Sequence, residues 1–139
     1  MKNIFKIIIF IIFIPNILLA KSQFIQDGIN LYNNKKFNEA KFKFEQDIIF
    51  NPKSEISYLY LAKIFNKQEN KKLEEQNLNT VILLNPKNEE AIYNLVKLKL
   101  NSSDYEKSKE LNKTLKSICS NFCLQSDKLK TEIENLSKK

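Results

Sequence analysis

Apolar residues are distributed in two ways along the chain. Residues 7–14 form an unbroken apolar run, extended by residues 17–19. From about residue 22 onward, apolar residues instead recur at three- and four-residue intervals among lysines, asparagines and acids. That spacing puts them on one face of a helix. Leu78, Val81 and Ile82 form one such stripe, and Leu124, Leu129, Ile133 and Leu136 form another. The pattern predicts seven helices, over residues 22–33, 37–50, 55–67, 71–84, 89–101, 105–118 and 126–137.

The stripes repeat. Asn51-Pro52-Lys53 returns as Asn85-Pro86-Lys87, 34 residues later. At that offset Phe24, Tyr58 and Ile92 align, as do Gly28, Ala62 and Val96, and Leu31, Phe65 and Lys99. Ile48 aligns with Ile82, and Phe50 with Leu84. Each period holds two helical patterns. In the first two it closes on a proline, whose ring cannot continue the helical hydrogen-bond ladder.

This period resembles that of the tetratricopeptide repeat (TPR) family. Repeat 1 carries the family's residues in order: Phe24, Gly28, Leu31-Tyr32, Phe37, Ala40, Phe44 and Pro52. Gly28 and Ala40 are small where two helices must cross closely, and the aromatics fill the space beside them. Repeat 2 keeps Tyr58, Leu61, Ala62 and Phe65, but Lys71 stands where an aromatic is expected and Glu74 where Ala is expected. A looser crossing is expected there. Repeat 3 keeps Ile92, Leu95, Val96, Tyr105, Ser108, Leu111 and Leu115, with Ser120 in place of the closing Pro. The resemblance implies an all-α helix-turn-helix solenoid of about three repeats (six helices), over 21–54, 55–88 and 89–122. Residues 123–139 would form a capping helix that closes the last apolar face.

In this family the first helices of successive repeats line a concave groove. Carried over by position, the groove residues are Ile25, Ile29, Tyr32 and Asn33 from repeat 1, and Leu59, Lys63, Asn66 and Lys67 from repeat 2. Repeat 3 contributes Tyr93, Lys97, Leu100 and Asn101. Such a mixed apolar, aromatic and basic surface suits an extended peptide or a helix with an acidic end. Lys63 and Lys97 lie one repeat apart and could face a carboxylate together; solvated lysines are the plainer alternative. Some TPR proteins clamp chaperone carboxyl termini with Lys and Asn at the positions held here by Ile25 and Ile29, and Glu90 puts an acid near the third, so that kind of receptor is not expected.

The N-terminal run changes the compartment. Lys2 and Lys6 precede it, Pro15-Asn16 interrupts it, and Leu18-Leu19-Ala20 meets the polar Lys21-Ser22-Gln23. This is the tripartite pattern of a secretory signal peptide over residues 1–20, cleaved after Ala20. Two alternatives remain, an uncleaved N-terminal anchor and a buried helix of the domain. The expected location is the periplasm or cell envelope of a bacterium with an AT-rich genome. That genome bias explains 23 Lys, 18 Asn and 18 Ile beside no Arg. The chain is basic at +7. Its lysines alternate with acids, however, and export would separate it from DNA, so nucleic acid is not an expected partner. Membrane contact is expected only through residues 1–20, if they are retained.

Catalytic chemistry finds few residues. There is no His, and the single Gly excludes phosphate-cradling glycine loops. Glu74-Glu75 and Glu89-Glu90 are carboxylate pairs at helix starts, where the macrodipole favours acids. Cys119 and Cys123 are not spaced as a redox Cys-x-x-Cys pair, and without His they cannot form a standard zinc site. In an oxidising compartment they could bridge the last repeat to the cap; otherwise they are two small apolar side chains. The expectation is an exported, non-catalytic adaptor or scaffold with no cofactor and no metal, binding another envelope protein. The alternatives are a structural or self-associating envelope component and a membrane-tethered scaffold.

Overall fold

The computed structural model describes residues 23–138; the expected signal peptide and its cleavage point lie outside them. The described residues form seven helices and no strand: α1 over 23–33, α2 Phe37–Phe50, α3 Glu55–Lys67, α4 Lys71–Leu84, α5 Glu89–Leu100, α6 Tyr105–Ile118 and α7 Cys123–Leu136. None of them is long and apolar enough to cross a membrane. The chain divides into two compact units, Met1–Tyr60 and Leu61–Lys139.

In the first unit, α1 and α2 cross at Gly28. A Cβ added there would lie 2.8 Å from the Phe44 ring. Glycine is therefore required by close approach rather than by backbone conformation. Phe44 and Ala40 are fully buried. The Phe44 ring stacks on Tyr60 with centroids 4.9 Å apart, and Tyr60 meets the Tyr32 ring edge-on at 5.2 Å. A buried polar link ties α2 to the start of α3. The Ser57 hydroxyl donates to the Asp47 carboxylate, and Ser54 donates to Ser57 at 3.0 Å.

In the second unit, Ile92, Val96, Leu100, Leu115, Leu129 and Ile133 form a core shared by α5, α6 and α7. Small polar residues mark the crossings. Ser108 is fully buried and turns its hydroxyl to the Asp104 carbonyl at 2.8 Å. Buried Asn112 and Ser126 exchange hydrogen bonds between α6 and α7, each 3.0 Å. Every donor involved has an acceptor, so these polar groups lie inside the fold without a desolvation deficit.

The 34-residue period is also written in the turns. Lys35, Glu69 and Ser103 are the three non-glycine residues with positive φ among those described, at 60°, 56° and 60°. Each follows a first helix and completes the same pair of backbone bonds. In the first turn these are Lys36 N to Leu31 O and Lys35 N to Tyr32 O, both 2.9 Å. This is the Schellman arrangement, which satisfies the last helical carbonyls and is ordinarily given a glycine. Asparagine serves the starts of helices. Asn70 and Asn88 accept from Leu73 N at 3.2 Å and Ala91 N at 2.7 Å, and Asp104 does the same for α6. Part of the asparagine content thus caps helices.

The boundary that differs most from the sequence expectation is the start of α7. α7 begins at Cys123 rather than at residue 126, 34 residues after Glu89 and thus in register with the starts of α3 and α5. Neither its N-cap Phe122 nor its first turn supplies an acid. Glu89 supplies one from α5. Its Oε1 accepts from Ser120 N at 2.8 Å and Ser120 Oγ at 2.7 Å, and its Oε2 accepts from Asn121 N at 2.9 Å and Phe122 N at 2.8 Å. Cys119 and Cys123 bracket this clamped loop and are joined by a disulfide with Cα atoms 5.2 Å apart. Cys119 lies in extended backbone just past α6 and Cys123 opens α7, so the bridge does not have to span one helical turn.

Candidate functional site

The residues assigned to the groove fall in both units, and each unit presents its own part. In the first, Ile25 and Ile29 are half-buried on α1, Asn33 is exposed, and Tyr32 is half-buried with its ring against Phe37 and Tyr60. Leu59 is buried and presents no open surface. In the second, Asn66, Lys67, Lys97 and Asn101 are exposed, and Lys63 and Tyr93 are half-buried. Leu100 is 5% exposed and belongs to the core. The reason is helical phase: Ile92, Val96 and Leu100 are four apart and share the buried face of α5, whereas Tyr93, Lys97 and Asn101 occupy the next face round.

The electrostatics differ from a pair of open lysines. Lys63 is bound to the protein's own Glu90 at 2.6 Å, and on the neighbouring helices Lys99 is bound to Glu75 at 2.6 Å. Lys97 makes no ion pair within 4 Å among the described residues; its ammonium lies 5.6 Å from the Tyr93 ring centroid. That distance suits a cation over an aromatic face. The Tyr93 ring rests in turn on Phe122, with centroids 5.3 Å apart.

Glu74 corrects a second expectation. It stands in the first turn of α4, as expected, but it is buried rather than on the surface, at the position where a small residue was expected. Its Oε1 accepts from Asn66 Nδ2 at 3.0 Å. Burial pushes its pKa up, against the Asn66 hydrogen bond and the attraction of Lys97 and Lys71.

Glu89 is perturbed in the opposite sense. The Ser120 hydroxyl, followed by the backbone N–H groups of Phe122, Ser120 and Asn121, holds its carboxyl down to about 2 against a partly opposing desolvation. A depressed folded-state pKa adds stability that is complete above the unfolded value near 4.5 and is lost as pH falls toward 2. Glu89→Gln is therefore expected to lower Tm by several degrees at pH 7 and to flatten the acid limb of the Tm–pH profile. Calorimetry from pH 7 down to pH 2 checks this. An unchanged acid limb would show that the clamp contributes nothing.

Sequence reasoning missed Glu74, Glu90, Phe122 and Leu124 as neighbours or register partners of this face. The signal for Glu90 was available. Lys63 and Glu90 are 27 residues apart, which in a 34-residue period places them on adjacent first helices. Among the described residues no cluster of three or more His, Cys, Asp or Glu could hold a metal ion.

The fold is that of TPR domains. No family model matches the chain, and no curated protein sequence matches it. Solved structures do. The TPR2B domain of yeast Sti1, in complex with an Hsp70 peptide, superposes with a TM-score of 0.78 at 12% identity, covering 84% of this chain and 98% of that one. The Yersinia enterocolitica type III secretion chaperone SycD, in complex with a peptide of the translocator YopD, gives 0.75 at 13% identity over 84% of this chain and 91% of that one. The Sgt2 TPR domain from Aspergillus fumigatus gives 0.73 at 15% identity over 86% and 82%.

Proposed function

We propose that the chain is a non-catalytic protein-interaction module of the bacterial envelope, which binds a peptide or helix of another protein on the faces of its first helices. The supporting observation is the mixed polar, aromatic and basic surface of those faces in the second unit: Asn66, Lys67, Tyr93 and Lys97 stand on α3 and α5 outside the buried stripes, and Asn101 caps α5 beside them. The similar Sti1 and SycD structures carry peptides of their partners. A non-catalytic role is supported by the engagement of both carboxylates within the fold: Glu74 is bonded to Asn66, and both Glu89 oxygens are filled by the loop before α7. The Cys119–Cys123 disulfide supports an oxidising compartment, in keeping with the signal-like residues 1–20.

The test is capture from native envelope extract by the wild-type chain and by a Lys67→Glu, Lys97→Glu variant, both sites being exposed. One protein retained by wild type and lost by the variant, with Tm unchanged, is the expected result. Equal capture by both would remove the binding role from this face. A second reading, self-association, is favoured by Phe42 and Ile49, which are seven residues apart on one side of α2 and 59% and 74% exposed. A solution mass that rises with protein concentration, and stops rising in Phe42→Ser, would establish it.

A further inference from the structure

Lys63 and Lys97 occupy equivalent positions on α3 and α5, yet the protein treats them differently. Lys63 meets Glu90 at 2.6 Å, the second residue of the next first helix. α7 is the first helix after α5, and its register is the same, since Glu55, Glu89 and Cys123 open their helices at 34-residue intervals. The residue of α7 that corresponds to Glu90 is therefore Leu124, 66% exposed. Where α5 carries Glu90, α7 carries an apolar side chain, as α3 does with Ile56, and Lys97 is left without an ion pair among the described residues. Glu74 is near enough to feel the Lys97 charge, but it is buried, bonded to Asn66, and disfavoured as an anion.

We propose that the partner supplies the missing carboxylate: a segment carrying an acidic side chain beside a large apolar residue, the acid on Lys97 and the apolar group on Tyr93 and Leu124. This rests on the binding role proposed above and specifies the chemistry of its ligand. The site is held in advance of binding. Tyr93 packs on Phe122, the Phe122 N–H is fixed by Glu89, and the disulfide closes the loop that carries Phe122. A preorganised surface loses less entropy on binding. Charge complementarity to the unpaired lysine selects an acidic segment over a basic one, and the exposed leucine adds apolar area that a nucleic-acid backbone would not use.

The decisive variant is Leu124→Glu, which places on α7 the acid that α5 carries at Glu90. The side chain is exposed, and an acid in the first turn of a helix is favoured by the macrodipole, so the fold should be kept and Tm should hold or rise. The probes are short fluorescein-labelled peptides with a Leu-Glu-Leu, Leu-Gln-Leu or Leu-Lys-Leu centre in a Ser/Gly frame and amidated ends, and one Leu-Gln-Leu peptide with a free C-terminus. The full chain should bind the Glu peptide about tenfold more tightly than the Gln peptide, as one charge-assisted contact implies. Lys97→Arg should keep that preference, whereas Leu124→Glu should abolish it and Lys97→Glu should shift it toward the Lys peptide. Equal binding of the Glu and Gln peptides, no binding of either, or an unchanged preference in Leu124→Glu overturns the proposal. Preference for the free C-terminus also overturns it, moving recognition to a chain end. Envelope capture on the α3–α5 face reports separately, so the binding role can stand while this ligand chemistry fails.

Discussion

Phe44→Ala should come close to unfolding the first helical hairpin. The ring is fully buried, stacks on Tyr60, and fills the space that the missing Gly28 side chain leaves open. Removing a buried Phe side chain typically costs about 3–5 kcal/mol through lost transfer energy and a residual cavity. A small domain holds only about 5–15 kcal/mol in total. The expected urea profile is a midpoint shifted far toward zero denaturant. Gly28→Ala alone is also expected to destabilise, because its Cβ would meet the ring at 2.8 Å. Overpacking of about 1–3 kcal/mol outweighs the helical gain of about 0.5–1 kcal/mol over glycine. The two changes should not be additive: in Phe44→Leu with Gly28→Ala, the new methyl enters the vacated space and part of the loss returns. Strict additivity would show that Gly28 and Phe44 do not share one packing site.

The second large effect is expected at Leu115, fully buried among Ile92, Val96, Leu129 and Ile133. Leu115→Ala should cost about 2–5 kcal/mol. Because this residue joins α5, α6 and α7, the loss should also appear as faster amide exchange across α7. Leu83→Ala is the control. That leucine is 82% exposed on α4, and its removal should leave the melt unchanged within about 0.5 kcal/mol. A comparable loss at both positions would contradict the assignment of the core.

Much of the fold was legible from period and pattern. Prolines end α2 and α4 one residue beyond their C-caps, small residues mark the α1–α2 crossing, and apolar stripes set the buried faces, so the helix spans largely agree with the sequence expectation. The left-handed turns were hidden. Lys35, Glu69 and Ser103 hold a conformation that glycine usually signals, and this chain places its one glycine at a helix crossing instead. The start of α7 was hidden as well, because the acid that holds the N–H groups of the loop leading into it lies on α5, about thirty residues upstream.

The candidate face was legible by position and not by pairing. The position carried over from the TPR resemblance was enough to name Asn66, Lys67, Tyr93 and Lys97, none of which is buried. It could not show that Lys63 is already answered by Glu90, and it set Leu100 in the groove although the spacing of Ile92, Val96 and Leu100 puts it on the buried face of α5. Pairing between helices depends on which residues two elements bring within about 4 Å, and helical phase within one element does not contain that. The difference matters for function. A lysine held by an internal acid must give up that pair to bind a ligand, whereas Lys97 has none among the described residues.

The most direct test of the binding role is site-specific photocrosslinking in the native envelope. A photoreactive phenylalanine is placed at exposed Lys67 on α3 and, separately, at Leu83 on α4. A single crosslinked protein at residue 67, absent at residue 83 and competed away by excess unmodified chain, is the expected result. The same protein captured at residue 83 and not at residue 67 would contradict it and place the partner on the second helices.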